Sequence, residues 1–220
     1  MKYYSINGNA PEVDFKTATI NGQAPDKGLY FPEYIPKWNP DFISNLKNIN
    51  PVKIGFEIMK PYVGDSIADD ELMQIMQETL SFDIPLKKID NNIYCLELFH
   101  GPTLAFKDLG ARFLSRCLGY FAKQQNEKII ILVATSGDTG GAVADGFYNV
   151  PGTEVVILYP SGKVSEVQEK QLTGLGGNIH ALEIEGDFDD CQRLVKMAFA
   201  DEELQKLGML TSANSINISR

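Results

Sequence analysis

Residues 128–134, KIIILVA, form an almost unbroken apolar run that leads directly into ATSGDTGGA. A run of this kind fits a strand covered on both faces, the usual condition of a parallel sheet. Downstream of that glycine-rich turn and the helix it opens, the chain alternates through EVVILY, VSEVQEKQLTGL, NIHALEIE and DDCQRLVKMAFADEELQKL before MLTSANSINISR. Strands alternating with helices predict right-handed βαβ units, hence an α/β fold with an open parallel sheet and flanking helices. NIYCLELF, at 92–99, reads as one more strand of this region, and a helix follows it. Residues 1–92 read as a separate N-terminal segment and residues 93–220 as the α/β domain. Within the first segment, IADDELMQIMQETL sets Leu72, Ile75, Met76 and Leu80 on one helical face. Its acidic start complements the helix dipole and is better read that way than as a metal site.

Composition removes several function classes. Acidic residues outnumber basic ones, 29 to 20, for a formal charge of -9. With no dense Lys/Arg cluster, neither nucleic acid nor an anionic membrane is the expected partner. The three cysteines, Cys95, Cys117 and Cys191, show no CxxC or Cys/His spacing, so neither a zinc site nor a disulfide framework is expected. The start lacks a signal-peptide core, and no apolar run approaches the roughly 20 residues that cross a bilayer. The chain therefore reads as soluble, cytoplasmic and reduced.

Two stretches carry chemistry. In the first, Ser136, Gly137, Asp138 and Thr139 follow the buried strand, where open α/β sheets bind ligands. Glycine allows close backbone approach, and the next helix offers unpaired N–H groups to a carboxylate or phosphate. An ordinary tight turn with a helix cap fits the same residues. No Lys-Ser/Thr follows the glycines, so this is no Walker loop, and GxGxxG is absent. TGLGGN, at 173–178, reads as a helix C-cap turn. The second stretch is ELFHGPTLAFKDLGAR, at 97–112. On a helix of 3.6 residues per turn, Lys107 stacks below Ala111, Leu114, Leu118 and Phe121, while Asp108, Arg112, Ser115 and Arg116 fall on the wet face. Such a lysine either snorkels to water or keeps a partly desolvated amine that is nucleophilic toward an aldehyde. His100 is a candidate base or a structural residue.

ELFHGPTLAFKD followed by a buried strand and ATSGDTGGA closely resembles the threonine synthases, within the tryptophan-synthase-like group of pyridoxal-phosphate enzymes. DKGLYFP near the start and SANSIN near the end resemble segments of the same family. The resemblance implies that Lys107 binds pyridoxal 5′-phosphate covalently and is the catalytic residue. It implies that Ser136, Gly137, Asp138 and Thr139 bind the substrate carboxylate, and that Asn214, Ser215, Asn217 and Arg220 line a substrate phosphate site. The implied reaction converts O-phospho-L-homoserine and water into L-threonine and phosphate by γ-elimination and β-addition of water. A homo-oligomer is compatible with it. The glycine-rich GNFGN loop that clasps the cofactor phosphate in this family is missing, and the family's chains are about twice as long. The sequence is therefore expected to be an N-terminal portion, inactive alone, with a fold incomplete at its C-terminal side. The alternatives are another lyase of the same fold, such as a serine/threonine dehydratase or a related phospholyase, and a non-catalytic binding module.

Overall fold

A computed structural model describes residues 1–125 and 127–220. The chain divides into two compact units: residues 1–81 with 216–218, and residues 82–215 with 219–220.

In the first unit, β1 (Tyr3–Ser5) pairs antiparallel with β2 (Tyr30–Pro32), and α1 (Phe15–Asn21) lies between them in sequence. Three further helices follow, α2 (Pro40–Asn45), α3 (Pro51–Val63) and α4 (Asp69–Thr79). Asn39 and Asn50 cap α2 and α3, each followed by a proline at the first helical position, where no N–H is needed. Tyr3, Phe15, Ile67 and Leu72 fill the core. The DKGLYFP segment is a fastening. Asp26 accepts hydrogen bonds from Ser5 Oγ at 2.6 Å, Gly28 N at 2.9 Å and Asn9 N at 3.0 Å. Those donors, Ser5 first, hold its carboxyl below the usual range. Gly28 is required because a Cβ there would lie 2.0 Å from Ser5 Oγ. Asn217 of the SANSIN segment is 2 % exposed and donates to Thr19 O at 2.8 Å.

The second unit opens with a hairpin, β3 (Leu86–Asp90) and β4 (Ile93–Leu96), every residue of which is exposed. NIYCLELF is thus a strand in part, but paired antiparallel with β3 and separate from the main sheet. Next comes α5 (Asp108–Gln125), then β5 (Ile129–Ala134), α6 (Asp138–Phe147), β6 (Thr153–Pro160), α7 (Glu166–Thr173), β7 (Ile179–Ile184), α8 (Phe188–Ala200), α9 (Glu202–Gln205) and β8 (Met209–Ser212). The long helix expected across 189–207 breaks at Asp201, whose carboxylate caps α9 by accepting from Glu203 N and Leu204 N.

The main sheet is four-stranded and wholly parallel, in the order β7-β6-β5-β8. Alternate residues of β5 and β6 point to opposite faces. Ile129, Ile131, Val133, Val155 and Ile157 are fully buried, while Leu132, Ala134 and Leu158 pack with Cys191 and Val195 of α8. Cover on both faces explains why β5 shows no polar alternation. Asn178 closes the turn before β7: its amide donates to Phe147 O at 2.9 Å and Thr153 O at 3.2 Å, and its carbonyl accepts from Asn149 N at 2.9 Å. TGLGGN is therefore a structural turn, with Gly176 and Gly177 in the left-handed region at φ 66° and 63°.

Candidate active site

The carboxyl end of β5 sets the site. Thr135, 1 % exposed, uses its hydroxyl oxygen to accept from Gly137 N at 3.0 Å and Gly140 N at 2.8 Å. That single side chain folds the glycine turn and starts α6. Gly137 sits at φ 138°, where a side chain would be strained. The N–H groups of Ser136, Asp138 and Thr139 have no acceptor among the described residues. They form an open donor set at a helix start, where the dipole favours an anion.

The lysine arrives from a braced loop. Gly101 leaves room for the Asp108 side chain, since a Cβ there would lie 2.4 Å from Asp108 Oδ2. Thr103 then donates to the same carboxylate twice, from its N–H at 3.0 Å and from its hydroxyl. Asp108, expected on a wet face, is 1 % exposed for this reason. Leu104 takes φ 59°, a conformation that costs a non-glycine residue about 1 kcal/mol or more. Lys107 itself lies one residue ahead of α5, its carbonyl accepting from Ala111 N at 3.0 Å. It is the cap of the helix and not a member of its apolar stripe, which begins at Ala111. Ser115 is also buried, and Arg112 and Arg116 are tied to Asp145 and Gly146 O, because α6 covers the side of α5 that sequence alone leaves wet. Burial there pushes the Asp145 carboxyl up, against the opposing pull of Arg112.

The Lys107 ammonium lies 4.5 Å from the centre of the Phe106 ring and 3.7 Å from Asp138 Oδ2, with a quarter of its side chain exposed. Asp138 Oδ1 accepts from Gln168 Nε2 of α7 at 2.7 Å. Lys107 and the Ser136–Thr139 turn are thus in one place, with the Asp138 carboxylate directed to the amine. His100 stacks on Phe99 and lies 2.8 Å from Glu97 Oε2. Arg220 donates to Ala213 O, and burial lowers its pKa. No group of three metal-ligating side chains occurs among the described residues.

Residues 78–218 match the family model described as pyridoxal-phosphate dependent enzyme. The chain belongs to that family. Residues 2–80 match a second model, the threonine synthase N terminus. The whole chain is 44% identical to threonine synthase of Escherichia coli K12 and 47% identical to that of Haemophilus influenzae, covering 51% of each. Among solved structures it resembles PLP-bound threonine synthase from Brucella melitensis, with a TM-score of 0.93 and 41% identity over all of this chain and 48% of that one. Threonine synthase from Escherichia coli superposes with a TM-score of 0.88 at 44% identity, and the chain covers 51% of it. The chain spans about half the length of the curated relatives it matches.

The residues present suit the family's cofactor. A primary amine, partly sheltered by an aromatic ring, suits an aldehyde, and open N–H groups beside it suit an anionic amino acid.

Proposed function

We propose that these 220 residues supply the lysine and the carboxylate cradle of a threonine synthase, which forms L-threonine and phosphate from O-phospho-L-homoserine and water. The observation that carries this reading is the placing of Lys107 Nζ 3.7 Å from the first residue of α6, beside N–H groups that have no acceptor among the described residues. Pyridoxal 5′-phosphate, when bound, supplies an aldehyde for Lys107 and an electron sink that acidifies the substrate Cα proton. The chain's own residues do the rest. The N–H groups of Ser136, Asp138 and Thr139, with the Ser136 and Thr139 hydroxyls, bind the substrate α-carboxylate. Gly137 lets that carboxylate approach the backbone. The Lys107 amine, near Cα and Cβ, removes and returns protons at those carbons as phosphate leaves Cγ and water adds at Cβ. Asp138 turns its carboxyl group toward the amine and away from the cradle. In this reading residues 93–220 are the lysine-bearing domain and residues 1–92 the segment ahead of it.

The test uses the protein encoded by the complete reading frame. Phosphohomoserine should yield L-threonine and phosphate in equal amounts, and Lys107→Ala should yield neither. Ammonia released from L-serine or L-threonine, with no threonine from phosphohomoserine, would assign the site to a dehydratase instead.

A further inference from the structure

Building on that reading, we infer that Gln168 is a positioning residue that holds the Asp138 carboxylate off the N–H groups meant for the substrate. An aspartate in the first turn of a helix has an attractive alternative, which is to fold back onto the helix's own unpaired N–H groups. At Asp138 that would fill the anion cradle with the protein's own charge. The carboxylate is instead drawn outward, with Gln168 Nε2 2.7 Å from one oxygen and Lys107 Nζ 3.7 Å from the other.

Gln168 can do this because both ends of its amide are committed. Its oxygen accepts from Ser165 N at 3.0 Å and Ser165 Oγ at 3.1 Å, closing a capping box at the start of α7. Ser165 N is a donor and the Asp138 carboxylate an acceptor, so the partners themselves fix which end of the amide is NH2. The space it occupies is left by Gly137, where an added Cβ would lie 2.4 Å from the Gln168 amide carbon. One turn further along α7, Gln171 Nε2 reaches Thr103 O at 3.4 Å, so the same helix also touches the loop that delivers Lys107. The α7 surface thereby sets the directions of the carboxylate and of the lysine loop together.

Gln168→Glu separates the two roles of the side chain. It keeps the shape and the capping acceptor, since Glu serves equally at that position of a capping box. It replaces the donor with a carboxyl facing Asp138. In the holoenzyme from the complete reading frame, we expect the dissociation constant for L-threonine, read by spectral titration, to weaken by about tenfold or more at pH 8, a lost charge-assisted hydrogen bond being of that order. The cofactor band should keep its wild-type intensity, whereas the melting temperature, lowered at pH 8 by the two facing carboxylates, should return toward the wild-type value as the pH falls. Binding should recover as the pH falls toward about 5, because the introduced carboxyl, raised by its carboxylate neighbour, becomes a neutral donor. In the cofactor-free protein, the Gln168 side-chain NH2 resonances should be displaced by Asp138→Asn, which removes the charged acceptor at 2.7 Å. Unchanged threonine affinity at pH 8, a weakening independent of pH, or a loss matched by a fall in the cofactor band would each overturn the inference. Absence of a cofactor band in the wild-type protein would instead overturn the functional reading and the role given to Gln168 with it, while the displacement of the NH2 resonances would still report the contact itself.

Discussion

The β5–β6 core and the β3–β4 hairpin lie in the same compact unit and are held by different physics. In β5 every side chain is buried or nearly so, both faces being covered. In β3 and β4 each side chain is exposed, including Leu86, Ile89, Ile93, Tyr94 and Leu96. A two-stranded hairpin of this kind gains little from burial and is marginal on its own. The lysine loop runs between these two regimes. It is stabilised chiefly by polar contacts, through Asp108 and Thr103, and not by an apolar core of its own. The site is thus positioned by hydrogen-bonded bracing attached to a buried sheet.

The largest contrast should appear in thiol chemistry. Cys95 in β4 is exposed, whereas Cys117 in α5 is fully buried and burial pushes its thiol up. Iodoacetamide under native conditions should modify Cys95 promptly and Cys117 at least about a thousandfold more slowly, since the latter waits for opening of the fold. Mass spectrometry of timed digests reads the ratio, and equal rates would mean that α5 is not part of a stable core.

Substitutions probe the same contrast in energy. Phe121→Ala, at a fully buried position of α5, should cost about 3–5 kcal/mol by denaturant unfolding. Asp108→Ala should cost about 2–3 kcal/mol, because it leaves the Thr103 N–H without its partner, and it should also slow the reaction of Lys107 with pyridoxal phosphate. Thr135→Val removes one acceptor that serves two N–H groups and should cost about 1–3 kcal/mol, with faster hydrogen exchange at Gly137 and Gly140. Leu86→Thr, in the hairpin, should fall within about 0.5 kcal/mol of wild type. A large loss there would show that the hairpin is held by more than its ladder.

The sheet was legible because burial on both faces writes an apolar run into the sequence, as in IIILVA and in VVILY. The hairpin was only half legible: Lys87, Lys88 and Asp90 mark no face, and its apolar residues have no core to alternate against. The site was legible through its residue types, a lysine and a glycine turn, but its support was not. Lys107 shares helical spacing with Ala111 and Leu114, so periodicity extended the helix one residue too far. Asp108 looks like a solvent residue until the Gly101–Thr103 loop folds onto its carboxylate, and Ser115 until α6 covers it, tertiary facts no local pattern carries. Gln168 was missed altogether, and the one sequence hint, a glycine at 137 where its amide needs space, is readable only once the two segments are folded together.

The measurement that bears most directly on the central claim is the site of cofactor attachment. The protein is mixed with pyridoxal 5′-phosphate, reduced with borohydride, digested and analysed by mass spectrometry. The account predicts the reduced adduct on the Lys107 peptide, formed ahead of every other lysine. Labelling spread over surface lysines with Lys107 unmodified would contradict it.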